Sequence, residues 1–249
     1  VEVRFSKESG LIAGVKNGKT SISFGNGPKL TTDNSKFKSI SHHQEGDKHV
    51  IIAEYEGPMS QISYSMLSNG WLKLDYAYRL MGDYDYMGIT FSYPEEKVKG
   101  VKWLGKGPFR VWKNRMKGAE FAVHRKGYNN TVTGKDWDYP EFKGYHDRMF
   151  WTVIDNEEYP IAVVSETDHI FLRLFTPEPT GSDNVDPLFP AGDISFMDAI
   201  TPIGTKFKPA DQLSPQGGKN QFRNRRDRQR MWGATLYFDF GAGVTGNTP

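Results

Sequence analysis

The chain has 249 residues, a formal net charge of +2 and no cysteine. The balanced charge gives no overall field that would attract nucleic acid or anionic lipid, and no apolar run approaches the roughly 20 residues that cross a bilayer. The absence of cysteine excludes disulfides, thiolate catalysis and cysteine-ligated zinc. The 16 Phe, 12 Tyr and 6 Trp supply enough apolar area for a sizeable core.

The first half of the chain is a series of short segments in which apolar and polar residues alternate. In Trp71–Leu80 the apolar side chains fall on one face, whereas Lys73, Asp75 and Arg79 fall on the other. The turn at Asn17-Gly18 favours a hairpin because both central residues need positive φ. The strands predicted here are Val1–Phe5, Leu11–Val15, Ser21–Phe24, Phe37–His43, Lys48–Tyr55, Gln61–Leu67, Trp71–Leu80, Tyr86–Tyr93 and Val98–Leu104.

The second half continues the pattern with longer loops and shows no sustained 3.6-residue apolar period, so helix should be scarce. The strands predicted there are Ala119–His124, Arg148–Asp155, Ile161–Ser165, Ile170–Phe175, Ser195–Ile200 and Thr235–Phe240. No polar linker divides the halves. The pattern therefore predicts one all-β domain over residues 1–241, a sandwich of two large antiparallel sheets, with residues 242–249 as a flexible tail.

One stretch, Val101–Gly118, carries the main functional hypothesis. Its strand breaks at Gly105–Pro108, and beyond the break Arg110, Trp112, Lys113 and Arg115 lie within six residues. Loops rich in Gly and Pro place side chains at the surface. An indole can stack on the apolar face of a sugar, and guanidinium groups bind hydroxyls or a carboxylate. The alternative is an ordinary loop at a strand end with a snorkelling Arg.

The string from Trp103 to Pro108, followed by an aromatic residue and Arg, resembles the carboxy-terminal domain of family 2 glycoside hydrolases, the β-galactosidase group. That family reads Gly-Pro-x-Glu-Asn-Tyr-x-Asp-Arg here, which Gly107, Pro108 and Arg115 match. Trp112 stands at the Tyr position, and Arg110, Val111 and Asn114 replace the Glu, Asn and Asp. The resemblance implies that this loop has the same conformation as in the family, whereas its contacts to the sugar need not be the same.

Three further segments agree in order with this resemblance. Phe5–Val15 with Phe24–Leu30 is similar to the family's first hairpin, Tyr139–Gly144 to its Pro-x-Glu-x-Gly segment and Phe150–Val153 to the next strand. The resemblance implies a galactose mutarotase-like supersandwich, non-catalytic by itself and without a cofactor. It implies carbohydrate and a catalytic TIM barrel of the same polypeptide as partners. A bacterial polysaccharide-degrading enzyme of this kind would be periplasmic or extracellular.

Acid/base chemistry has few candidates. A retaining glycosidase needs two carboxylates about 5 Å apart, but Glu95-Glu96 and Glu157-Glu158 are neighbours in polar turns and should be solvated charges. A mutarotase needs an acid and a base, typically His and Glu. Glu141, His146 and Asp147 could form such a cluster, or could simply be a polar loop before a strand. A free-standing mutarotase or polysaccharide lyase therefore remains the alternative function.

A second sugar-stacking group is Trp137, which lies between Asp136 and Asp138 in a polar loop that could equally be structural. Both loops leave the same block of strands, which predicts one concave surface. Its substrate-binding residues would be Arg110, Trp112, Arg115 and Trp137, with Glu141 and His146 at the edge. No metal site is predicted.

Two later segments are candidates for interdomain contacts. Arg223–Arg230 contains five Arg in eight residues, which could bind nucleic acid or a uronate but is better explained by a solvated or interdomain loop. Gly192–Gly218 has too many prolines for a central strand and should pack against the absent barrel. The family's Asp-x-Trp-Ser-Pro string resembles Asp211–Pro215 with Leu213 at the Trp position, so any stacking role would pass to Phe207 or be lost.

Overall fold

A computed structural model gives the structure of the chain over residues 1–32, 35–128, 143–179, 181, 184–224, 226 and 230–241. It is mostly β, with 53% strand and 4% helix and no helix of seven or more residues. This confirms the predicted all-β class and the scarcity of helix. Nowhere in these ranges is there a helix long and apolar enough to cross a membrane.

The strands of the described residues are numbered in chain order. They are β1 Glu2–Phe5, β2 Ile12–Asn17, β3 Thr20–Ile22, β4 Gly25–Leu30, β5 Lys36–Glu45, β6 Lys48–Glu56, β7 Gln61–Met66, β8 Leu72–Tyr78, β9 Gly82–Tyr84, β10 Met87–Ser92, β11 Val98–Gly107, β12 Glu120–Gly127, β13 Gly144–His146, β14 Trp151–Asn156, β15 Ile161–Ser165, β16 Phe171–Leu174, β17 Ile194–Ala199, β18 Asn220–Phe222 and β19 Trp232–Asp239.

Two large antiparallel sheets contain nearly all of these strands. The eight-stranded sheet has the order β1-β2-β4-β10-β17-β16-β13, with β3 paired to β2. The nine-stranded sheet has the order β12-β11-β14-β15-β19-β8-β7-β6-β5, and β18 pairs with β9 as a small ribbon. Neighbours along the chain and distant strands both pair, so the two halves of the sequence are interleaved in each sheet.

The main core lies between the two sheets. Phe238 of the nine-stranded sheet contacts Phe91 and Phe196 of the eight-stranded sheet, with ring centroids 5.5 and 5.9 Å apart. Strand β8 alternates buried and half-buried residues along its whole length, as the period-2 pattern predicted. Each large apolar side chain buried in this way contributes about 1.5–3 kcal/mol.

Gly107, at the end of β11, packs tightly against Trp103 of the same strand. The Trp103 side chain is fully buried, and a Cβ atom at Gly107 would lie 2.7 Å from its indole and 2.8 Å from the His124 ring. Only glycine fits there without a shift. Strand β11 therefore continues through Gly105 and Gly107, beyond the break predicted after Leu104, and ends directly against a buried indole.

A smaller core lies on the opposite face of the eight-stranded sheet. Met197 points to this side whereas its neighbour Phe196 points into the main core, as alternation along a strand requires. The buried members of the second cluster are Val111, Trp112, Tyr145, Met197, Ile200 and Ile203. The eight-stranded sheet is consequently covered on both faces in this region.

Candidate functional site

The loop that follows β11, residues 108–119, leaves the nine-stranded sheet and lies against β13 of the other sheet. The Val111 amide donates to the Tyr145 carbonyl at 2.7 Å. Trp112 and Arg115 exchange backbone hydrogen bonds of 3.1 and 2.7 Å, which close a tight turn. The backbone of this motif loop is therefore fixed by its own turn and by the neighbouring strand.

The indole of Trp112 points inward, and the prediction that it is exposed is wrong. The residue is only 5% exposed, and its ring meets the Tyr145 and Phe189 rings edge-on, at 5.7 Å in each case. It covers the outer face of the eight-stranded sheet, which would otherwise leave Met197 and Tyr145 in water. An indole used in this way is not free to stack on a sugar.

The two arginines of the motif loop do not converge on an open surface either. The aliphatic part of Arg110 lies on Gly144, where a Cβ atom would be 2.5 Å from the Arg110 Cδ. Arg115 is exposed and donates through Nη2 to the Gly204 carbonyl at 2.8 Å. The structure thus places the Arg115 guanidinium against the connection that follows β17.

That connection, residues 200–219, is joined to the motif loop by side chains. Asn114 accepts from the Ile203 amide at 3.0 Å through Oδ1 and donates to the Ile203 carbonyl at 2.9 Å through Nδ2. Lys113 Nζ donates to the carbonyls of Gly218 and Lys219 at 2.7 and 2.9 Å, and burial lowers its pKa. We call the motif loop and residues 200–219 the clamped loops.

The strand predicted at Ser195–Ile200 is present as β17, so the expectation that Gly192–Gly218 is one long connection is wrong in its first part. Residues 194–199 form β17, a central strand, and Thr201 to Gly204 are buried in the second core of this domain. Phe207 does expose apolar surface, at 84% of its area. Its turn is closed by a 2.9 Å backbone hydrogen bond from the Thr205 amide to the Lys208 carbonyl.

The proposed acid/base cluster is not accessible as predicted. His146 is completely buried in β13 with its ring 4.5 Å from that of Trp103, because β13 turns this side chain towards the interior. Asp147 is 4% exposed and pairs with Lys106 at 3.3 Å. Trp137 and Glu141, the other predicted members of the sugar surface, lie outside the described residues.

One carboxylate of each acidic pair is a structural tie, whereas Glu96 and Glu157 are exposed, as predicted. The Glu95 carboxylate pairs with Lys143 at 2.6 Å. Glu158 pairs with Lys97 at 2.6 Å and accepts from the Ser23 amide and hydroxyl at 2.8 and 2.7 Å. Burial alone would raise the pKa of Glu158, but these hydrogen bonds hold it below its ordinary value.

The arginine run is also partly structural in the residues that the structure describes. Arg223 forms an ion pair and two hydrogen bonds with Asp83. The Arg230 guanidinium lies 3.6 Å above the Trp232 ring, a cation–π contact. Both ends of the run are thus engaged with neighbouring parts of this domain.

A buried polar network, which sequence reasoning missed, joins the two sheets. The Tyr78 hydroxyl donates to Asp198 Oδ2 at 2.5 Å, and Asp198 Oδ1 lies 3.0 Å from His169 Nε2. The Asp198 side chain is fully buried, whereas that of His169 is 46% exposed. The hydrogen bond to Asp198 raises the pKa of His169. The sequence feature that could have indicated this network is Asp198, a single Asp within the largely apolar strand β17.

A polar cleft, also missed, lies on the outer face of the nine-stranded sheet and has a volume of about 440 Å³. Its floor includes Ser63, Asp75 and Thr235, which are directly paired across β7, β8 and β19. The wet face predicted for Trp71–Leu80 already contained Asp75. What the sequence could not show is which residues of distant strands lie beside it.

Among the residues that the structure describes, no group of three or more His, Asp or Glu could hold a metal ion. Comparison with known proteins adds no family assignment: no protein-family model matches the chain, and no curated protein matches its sequence.

Proposed function

We propose that this chain is a carbohydrate-associated domain of a family 2-type glycoside hydrolase, non-catalytic by itself, that supports a catalytic barrel of the same polypeptide. The observation that carries the proposal is Phe207, an aromatic side chain left 84% exposed on a hydrogen-bonded turn of the clamped loops. A single exposed apolar residue is common on protein surfaces. An aromatic residue held on a fixed turn, however, is suited to contact a partner without a large ordering cost.

The clamped loops give Phe207 a rigid base. Arg115 holds Gly204, Asn114 holds Ile203, and the Thr205 hydroxyl accepts from the Lys208 amide at 3.1 Å. Burial of such a ring in the neighbouring barrel or against its substrate would supply the energy of a typical interface anchor, about 2 kcal/mol or more. The family resemblance supports this placement because it assigns the same region to contacts with the barrel.

The positions of the carboxylates support the non-catalytic part of the proposal. Glu95, Asp147 and Glu158 each pair with a lysine. A glycosidase needs one carboxyl group to remain protonated and a second to face the sugar, and a carboxylate held by an ammonium group favours neither role. In the proposed enzyme both catalytic carboxylates belong to the barrel.

The test compares this chain with the longer polypeptide that is proposed to contain it. We expect the chain alone to release no product from aryl β-glycosides, and the parent enzyme to lose about tenfold or more in kcat/KM on Phe207→Ala. Leu188→Ala is the matched control, since Leu188 is 64% exposed in a different loop. Turnover by the chain alone, or equal kcat/KM for the Phe207 and Leu188 variants, would reject the proposal.

One observation favours the alternative, a free-standing acid/base enzyme such as a mutarotase or lyase. The half-exposed His169 is oriented by the buried Asp198, which is in turn bound by Tyr78, and such an arrangement can transfer protons. Polarimetry of freshly dissolved galactose would decide this. Acceleration of mutarotation that disappears in His169→Gln would support the alternative, and a rate equal to that of buffer would exclude a galactose mutarotase.

A further inference from the structure

The outer face of the nine-stranded sheet carries two aromatic rings in one cross-strand row. Trp151 pairs with Val164, and Val164 pairs with Tyr237. Directly paired residues of an antiparallel sheet lie on the same face, so both rings belong to this surface. They are two strand spacings apart, about 9–10 Å, and neither is fully buried.

The polar cleft begins beside Tyr237. Thr235 is two residues away in β19 and therefore lies on the same face, with Asp75 directly paired to it in β8. The described lining residues include hydroxyl, amide and carboxylate groups together with apolar Ala77, Met231 and Ala234. Lys73, directly paired with Tyr237, lies on the same face. Its volume of about 440 Å³ falls within the range of about 300–1,000 Å³ found for small-molecule sites.

The polar groups around this cleft are already oriented. The Thr235 hydroxyl donates to Asp75 Oδ1 at 2.6 Å, and Lys73 Nζ lies 2.9 Å from Asp75 Oδ2. The Tyr237 hydroxyl donates to Glu166 Oε1 at 2.5 Å, which fixes the ring and raises its pKa. A site with preset side chains loses little conformational entropy when a ligand binds.

We propose that this face binds a neutral oligosaccharide, with one sugar unit against the Tyr237 ring and its hydroxyls in the cleft of Asp75, Ser63 and Thr235. Hydroxyl groups both donate and accept, and the cleft offers acceptors in the carboxylate and groups of both kinds in the hydroxyls. A uronate is disfavoured at the Tyr237 end because Asp75 and Glu166 are acidic and Lys73, the neighbouring cation, is already paired with Asp75.

Trp151 extends the same site along the row, with Lys102 Nζ 5.6 Å from the centroid of its ring. A chain whose first sugar lies on Tyr237 would reach the indole about two sugar units later, given the spacing of the strands. The inference deepens the proposed function and rests on it for the substrate class, since it gives the domain a glycan-binding face separate from the clamped loops. Affinity should consequently increase with the length of the oligosaccharide.

The test is a calorimetric titration of the 249-residue chain with neutral cello-, xylo-, manno- and galacto-hexaoses and with hexagalacturonate. We expect at least one neutral hexaose to bind, and hexagalacturonate to bind at least about tenfold more weakly. Tyr237→Ala should weaken binding of the neutral hexaose about tenfold or more. Trp151→Ala should weaken binding of the hexaose but not of the matching disaccharide.

Leu188→Ala is the control, because Leu188 is an apolar residue 64% exposed in the connection between β16 and β17 of the eight-stranded sheet. It should change affinity by less than about twofold, and all variants should keep the melting temperature of the parent chain within a few degrees. No binding of any neutral hexaose at millimolar concentration, or equal affinity of Tyr237→Ala and the parent chain, would overturn the inference.

The outcomes separate this inference from the proposed function. If Tyr237→Ala weakens glycan binding while the parent polypeptide has no glycosidase activity, glycan binding at the cleft is supported and the proposed function is rejected. If Tyr237→Ala has no effect while Phe207→Ala impairs the parent glycosidase, the proposed function is supported and glycan binding at the cleft is rejected.

Discussion

Asn114 should contribute more to stability than any other polar residue of the clamped loops. Its side chain satisfies both the amide and the carbonyl of Ile203, a residue only 7% exposed. In Asn114→Ala both groups lose their partner, and each unsatisfied buried group costs about 1–3 kcal/mol. Some water access reduces the sum, so we expect a loss of about 2–3 kcal/mol. For a chain of this size that corresponds to a melting temperature lower by about 5–10 °C.

Differential scanning calorimetry and urea unfolding would measure this loss. Asn114→Asp keeps the acceptor for the Ile203 amide but places a carboxylate beside the Ile203 carbonyl, so it should also be destabilising. Asn69→Ala is the control, because the Asn69 side chain makes one exposed hydrogen bond to the Trp71 amide and should cost at most about 1 kcal/mol. If Asn114→Ala melts no lower than Asn69→Ala, the clamp does not stabilise these loops.

Two further predictions concern the core and its polar network. Asp198 raises the pKa of His169, so the pair stabilises the fold below about pH 6.5 and loses this contribution as pH rises through the raised pKa. Because the ring is half-exposed, the effect is at most about 1 kcal/mol. Urea unfolding should show that His169→Gln lowers the free energy of unfolding more at pH 6 than at pH 9. An equal loss at both pH values would contradict this prediction. Gly107→Ala should lower the free energy of unfolding by about 1–3 kcal/mol because the added Cβ overpacks the core. Thermal melting would measure this loss against Gly127→Ala, where a Cβ meets nothing within 4 Å. Equal melting temperatures of the two variants would contradict the packing argument.

Local alternation predicted most strands because their side chains face one core. It failed where a strand depends on a distant neighbour. Residues 25–30, Gly-Asn-Gly-Pro-Lys-Leu, have the composition of a turn but form β4 between β2 and β10. A Cβ atom at Gly27 would lie 2.5 Å from Phe91 and from the Thr90 carbonyl, so glycine here permits close packing of two strands. No local signal distinguishes that use of glycine from a turn.

The candidate site was harder to predict for a related reason. Trp112 follows a Gly- and Pro-rich break and lies among basic residues, which is the composition of an exposed loop. Its burial depends on where the loop goes, namely from the nine-stranded sheet to the outer face of the other sheet beside Tyr145. The Tyr78–Asp198 hydrogen bond likewise joins residues 120 positions apart, a pairing that one sequence does not encode locally.

The two sheets differ in what their outer faces can do, and the difference is visible in their central strands. Every residue of β17 is buried, whereas β8 alternates between buried and half-buried positions. A strand without a wet face must be covered on both sides, and the clamped loops with Trp112 provide that cover for the eight-stranded sheet. The nine-stranded sheet leaves Lys73 and Asp75 of β8 in contact with water. The nine-stranded sheet therefore leaves open the surface on which we place the proposed oligosaccharide site, while the clamped loops over the other sheet carry Phe207, the residue of the proposed interdomain contact.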